Sequence, residues 1–113
     1  MDPAIHRQDE REEYYFAEGC YITELSNGGN DPELSIARAR VRAGKTTRWH
    51  RLDDTTERYV IVAGTARVEV GDLPPANVSA GDVVLIPPGV RQRITNTAAV
   101  DLVFLALCTP PFR

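Results

Sequence analysis

The chain has 113 residues and a formal charge of −3, from 13 Lys+Arg against 16 Asp+Glu, with 42% hydrophobic and 26% charged side chains. A chain of this size closes one core without disulfide or metal staples and leaves no room for a second domain. Its longest uninterrupted apolar run, Leu102 to Cys108, is far short of the roughly 20 residues that span a bilayer, so no membrane span is expected. The segment Met1 to Glu13 is polar and acidic, without the basic and apolar regions of a secretory signal, and a cytoplasmic location is expected. Cys20 and Cys108 lie far apart, which argues against a zinc ribbon or a CxxC redox pair and leaves two buried thiols.

Net acidity also argues against a nucleic-acid interface, because phosphates need a basic face. One stretch departs from the average: Arg38, Arg40, Arg42, Lys45, Arg48 and Arg51 follow one another with no acid among them. The first three are spaced by two and share one face of a strand, and such a face is ordinarily solvated or ion-paired. No nucleic-acid partner is expected.

In chain order, residues 1–13 carry the run Asp9-Glu10-Arg11-Glu12-Glu13, which cannot bury itself and reads as a polar N-terminal arm or frayed turn. Residues 14–113 read as one domain. Short segments rich in Val, Ile, Tyr and Thr alternate there with Gly, Pro, Asn and Asp at roughly eight- to twelve-residue spacing, an all-β signal. Strands are predicted over Cys20–Leu25, Leu34–Arg42, Arg48–Leu52, Arg58–Ala63, Thr65–Val70, Val83–Ile86, Arg91–Thr95 and Leu102–Cys108. Thr65–Val70 alternates cleanly, with Ala66, Val68 and Val70 on one face. Leu102–Cys108 does not alternate, so both of its faces are expected to be covered, by a second sheet or by a partner subunit. No window sustains a helical apolar period. The fold class is therefore all-β, an antiparallel jelly-roll barrel or sandwich with minor helix.

Two blocks carry chemistry. Gly44 is followed after five residues by His50, then Leu52, then Glu57 and Gly64; Gly81 is followed after five residues by Pro87-Pro88-Gly89, then Gln92 and Asn96. On a strand His50 and Leu52 point the same way, and Glu57 opens the return strand after Asp53-Asp54-Thr55-Thr56, so the two arms converge on one interior point. Gln92 brings a third polar side chain there. By parity Thr46 and Arg48 face in with His50, Tyr59 and Ile61 with Glu57, and Ile94 with Gln92. The lining Arg48, Leu52, Tyr59, Ile61 and Ile94 is mostly apolar with a few polar handles, as in a small-molecule pocket. Arg48 there would either hold a carboxylate substrate or reach the rim and pair with Asp53 or Asp54. Trp49 and Arg51 point the other way, toward the second sheet or a subunit contact.

These blocks, over residues 44–96, resemble the two conserved motifs of the cupin superfamily, Gly-x5-His-x-His-x3,4-Glu-x6-Gly and Gly-x5-Pro-x-Gly-x2-His-x3-Asn. The resemblance implies a small one-domain β-barrel that forms homodimers, here through Tyr14-Tyr15-Phe16 and the apolar Leu102–Cys108 strand. It also implies an interior divalent metal. His50 and Glu57 stand at ligand positions, whereas Leu52 and Gln92 replace two His. A His50, Glu57 and Gln92 set would hold Fe, Mn, Ni or Zn weakly, because an amide oxygen suits hard cations better than zinc. A metal-free polar cluster of the same residues satisfies a buried Glu57 equally well.

Three functions follow. The first is a metal-dependent enzyme on a small carboxylate or carbonyl metabolite, with Glu57 able to act as base and Tyr59 as proton donor. The second is a non-catalytic metabolite-binding cupin that has lost its metal. A third is a metal-free acid–base enzyme built on His50 and Glu57.

Overall fold

Alternating apolar and polar side chains build nine strands in the computed structural model, which describes every residue from Met1 to Arg113. They are β1 (Tyr14–Phe16), β2 (Cys20–Ser26), β3 (Ser35–Val41), β4 (Thr56–Ala63), β5 (Thr65–Val70), β6 (Ala76–Ser79), β7 (Val83–Ile86), β8 (Gln92–Asn96) and β9 (Leu102–Thr109). A six-stranded sheet has the order β1-β2-β3-β9-β4-β7 and a three-stranded sheet the order β6-β5-β8, all neighbours antiparallel. Val41, Tyr59, Ile61, Leu102 and Phe104 of the larger sheet meet Ala66, Val68, Val70 and Ile94 of the smaller in one core. Burying each of the larger of these side chains contributes about 1.5 to 3 kcal/mol. The all-β jelly-roll expectation holds, and no helix is long and apolar enough to cross a membrane.

The segment expected as a strand over Arg48–Leu52 is not one. It makes isolated bridges, Thr46 to Thr95 and His50 to Gln92, because its amides turn alternately to two neighbours. Thr47 N and His50 N donate to Ile94 O and Gln92 O of β8, at 2.9 and 3.1 Å. Arg48 N donates instead to Glu18 O, in the turn between β1 and β2, at 2.8 Å. Two short strands, β1 and β6, fall where no strand is predicted, the latter directly after Pro74-Pro75. On β9 Leu102, Phe104 and Cys108 are buried on one face, and Val103, Leu105 and Leu107 on the other are half-buried within the single chain.

At the N-terminus a 3-10 turn over Glu10–Glu12 is capped by the Asp9 side chain, which accepts from Arg11 N. Glu13 then docks on the outside of the larger sheet, 2.6 Å from Arg40 Nη2 and 3.5 Å from Arg38 Nη1. The hydrogen bond from Arg40 holds the Glu13 carboxyl below its ordinary range. Two of the clustered arginines are thus ion-paired.

Gly64 alone links β4 to β5, at a φ of 92°. A Cβ there would lie 3.2 Å from Asp101 O and 3.3 Å from Leu102 Cα. Gly64→Ala is expected to lower stability by about 2 kcal/mol through backbone strain and crowding, read as a fall in the urea midpoint. An unchanged midpoint would mean that the link shifts freely.

Candidate functional site

Strands β1, β2, β3, β9 and β4 of the larger sheet and the His50–Leu52 segment enclose a small cavity of about 60 Å³ that opens to solvent. Its floor is Ser35, Ala37, Ala39, Ala106 and Cys108, small residues on β3 and β9 that leave space above the larger sheet, together with Phe104. Tyr14, Phe16, Ile22, Leu52 and Phe112 form apolar walls, and Glu18, Glu24, His50, Glu57 and Tyr59 supply the polar groups.

Strand parity delivers Glu57 and Tyr59 to this face, since β4 runs as a regular ladder against β9 over both residues. His50 arrives by a different route. Its backbone is pinned to Gln92 in both directions, His50 N to Gln92 O at 3.1 Å and Gln92 N to His50 O at 2.8 Å. Its Nδ1 lies 3.0 Å from Arg48 O, an arrangement in which the Nδ1 proton is donated to that carbonyl and Nε2 faces the cavity. The Gln92 amide nitrogen faces both His50 Nε2 and the Tyr59 hydroxyl, which accepts from it. Glu57 Oε1 is 4.0 Å from His50 Nε2, and Glu57 Oε2 is 4.0 Å from Cys108 Sγ.

Glu18 completes the cluster, its Oε2 3.1 Å from His50 Nε2. Sequence reasoning missed it, because Glu18 lies outside both motifs and before the first strand read from the sequence. The signal available was a lone acid beside Gly19, which is too common to single out. Burial pushes the Glu18 carboxyl up to about 7. Burial raises Glu57 too, opposed by His50 and by a hydrogen bond from Gln92, with the Glu18 charge adding to the rise. Cys20 and Cys108, both free and buried, are pushed up to about 12, chiefly by burial and then by the nearby carboxylates, so neither is a thiolate at neutral pH. Tyr59 is raised well above its ordinary value by burial, with Glu57 next.

Several expected liners lie elsewhere. Arg48 and Thr46 are exposed and Thr47 is buried in their place, because parity does not survive a segment that pairs residue by residue with two neighbours. Asp53 pairs with Arg51, at 3.1 Å, rather than with Arg48. Ile61 and Ile94 are each 1% exposed, packed in the core between the sheets and not on the cavity wall. Leu52 does line the cavity. Trp49 faces the second sheet, its ring stacked under Arg91 and Arg93 at 4.5 and 4.4 Å. Asn96 is structural, its side chain bonded to three backbone groups.

Two packed antiparallel sheets with an interior polar cluster define a jelly-roll β-barrel architecture. A family model described as Cupin domain matches residues 37–108, and the chain belongs to the cupin family. Proteins of this family often bind metals, and no group of three His, Cys, Asp or Glu side chains is arranged here to hold an ion. No curated protein sequence matches the chain. Among solved structures it is similar to KdgF from Halomonas sp., at 16% identity over 96% of each chain and a TM-score of 0.83. A Cupin 2 conserved barrel domain protein from Salinispora arenicola CNS-205 gives 19% identity, 95% and 89% coverage and a TM-score of 0.79. Pac13, a nucleoside dehydratase, gives 16% identity, 97% and 86% coverage and a TM-score of 0.76.

Proposed function

We propose that the cavity is a proton-transfer site for a small molecule, with His50 as the base. One observation carries this reading: His50 Nε2 stands in the wall of a mostly apolar chamber beside two carboxylates, while Nδ1 is tied to a backbone carbonyl. In the neutral ring that tautomer leaves the Nε2 lone pair on the chamber side, where it accepts from the Gln92 N–H and, on giving up that bond, takes a proton from a carbon next to a carbonyl. The Tyr59 O–H donates to the oxygen on which negative charge develops, and the Gln92 amide positions both groups. Glu18, which exchanges its proton near neutral pH, relays protons to and from His50. Returning the proton to a neighbouring atom completes an isomerisation, so the step needs no oxidant or co-reactant.

A divalent Fe, Mn, Ni or Zn on His50, Glu57 and Gln92 is the competing account. The donor set does not fit such a centre. Leu52 offers no ligand, Gln92 offers at most a neutral amide, and no group of three His, Cys, Asp or Glu side chains is arranged to hold an ion. A carboxylate substrate held by Arg48 is likewise set aside, because Arg48 lies outside the cavity.

The test is deuterium wash-in from D2O into a panel of enolisable ketones and aldehydes, followed by proton NMR. Wild-type exchange is expected to exceed that of His50→Gln by about 100-fold or more and to be untouched by chelator. Exchange that appears only after loading one of the four metals would replace this reading with the metal-centred one. Exchange no faster than His50→Gln across the panel would make the protein a metabolite-binding module.

A further inference from the structure

Outside the cavity five of the carboxylates, Asp9 among them, are ion-paired to arginine. Glu13 and Asp101 are paired with Arg40, Glu69 with Arg93 at 3.0 Å, and Asp53 with Arg51. Inside it the pattern breaks. Glu18, Glu24 and Glu57 line one chamber that contains no Lys or Arg, although the chain carries 13 such residues.

Glu57 is the sharpest case. It is 7% exposed, and its Oε1 has no hydrogen-bond partner. The imidazole 4.0 Å away directs its Nδ1 proton to Arg48 O, Oε2 has a thiol at the same distance, and the Gln92 amide is the one further donor close to the carboxyl. A buried carboxyl with so few donors keeps a proton, in line with the upward push that burial gives Glu57, or ionises against a charged donor, and an occupant's N–H would supply the donor that Oε1 lacks. Around it Phe16, Ile22, Leu52 and Phe104 offer an apolar surface, and aromatic faces attract a desolvated cation.

We infer that the cavity selects a small organic ammonium compound, its charged nitrogen on Glu57 Oε1 and Glu18 and an aryl or branched alkyl body against Phe16 and Phe104. Carboxylates and phosphate esters are rejected, since they would face three acidic side chains with no basic residue but His50 to offset them. The inference deepens the reading of the chamber as a small-molecule site and rests on it, but not on the base role of His50.

The experiment uses three probes that share one ring and differ in charge: benzylammonium, benzyl alcohol and benzoate. Each is titrated into the full chain in the presence of chelator, by calorimetry and by amide NMR shifts of the cavity residues. Benzylammonium is expected to bind about tenfold or more tighter than benzyl alcohol, with benzoate not binding. Glu57→Gln is expected to erase that preference while leaving benzyl alcohol unchanged, and Glu18→Gln to reduce it, which keeps a second variant available should the first fold poorly. Equal binding of alcohol and ammonium, tighter binding of benzoate, or no shift of cavity amides with about 10 mM benzylammonium overturns the inference. Ammonium preference without deuterium wash-in would sink only the proton-transfer function. Wash-in without ammonium preference would sink only the present inference.

Discussion

Asn96→Ala is expected to lower stability by about 3 kcal/mol or more, a large part of what holds a domain of this size together. Asn96 is 1% exposed, and its side chain closes three separate pieces of backbone. Its Nδ2 donates to Val41 O at 2.9 Å and Val100 O at 2.8 Å, and its Oδ1 accepts from Ala98 N at 2.9 Å. The bond to Val41 is the most costly to lose, because Val41 is wholly buried at the end of β3 and no water reaches its carbonyl to replace the amide. Val100 is 65% exposed, and its carbonyl rehydrates at little cost. Urea unfolding followed by the fluorescence of Trp49, the one tryptophan of the chain, measures the loss directly. A change below about 1 kcal/mol would mean that backbone shifts or water repair all three sites.

The second large effect is a fall in stability as pH rises across the neutral range, centred on Glu18. Its carboxyl is pushed up to about 7 in the folded protein by burial, above its ordinary 4.5. The folded state therefore holds a proton that the unfolded state has released. The stabilisation from that proton is fully present below the unfolded value and disappears as pH climbs through about 7. Glu57 is displaced in the same direction and adds to the slope. Glu13 works oppositely: Arg40 holds its carboxyl below the ordinary value, so its contribution stands at neutral pH and is lost only as acid protonates it. The stability optimum thus lies on the weakly acidic side of neutrality. Going from about pH 5 to about pH 8, Tm is expected to fall by about 5 to 10 °C, equivalent to about 2 kcal/mol after allowing for the partial exposure of Glu18. Glu18→Gln is expected to flatten most of that slope and to raise Tm at the alkaline end. A wild-type curve that is level over this range, or a variant that falls as steeply, would remove Glu18 as the cause.

How far the site was legible depended on whether each residue sat in a regular ladder. Glu57 and Tyr59 reach the cavity face by alternation along β4, and Ala66, Val68 and Val70 reach the core by the same rule on β5. Arg48 misled because alternation was extended to a segment held by single bridges, where one amide turns to Glu18 and its neighbours to β8. Ile61 and Ile94 point inward as parity requires, yet inward here means the space between two sheets rather than the chamber.

The sequence by itself determined the strand-rich architecture and the positions of the turns. It also determined which residues of the continuous strands face in. These follow from local properties: β-branched content, period-two patterning, and glycines such as Gly64 and Gly81 at the positive φ their turns demand. Tertiary structure alone decided that Glu18 meets His50, that the chamber excludes every Lys and Arg, and that Glu57 Oε1 is left without a partner. The physical reason is that these are contacts between elements distant in the chain. The backbone bond from Arg48 N to Glu18 O sets the approach of the two turns, and no spacing along the sequence encodes it.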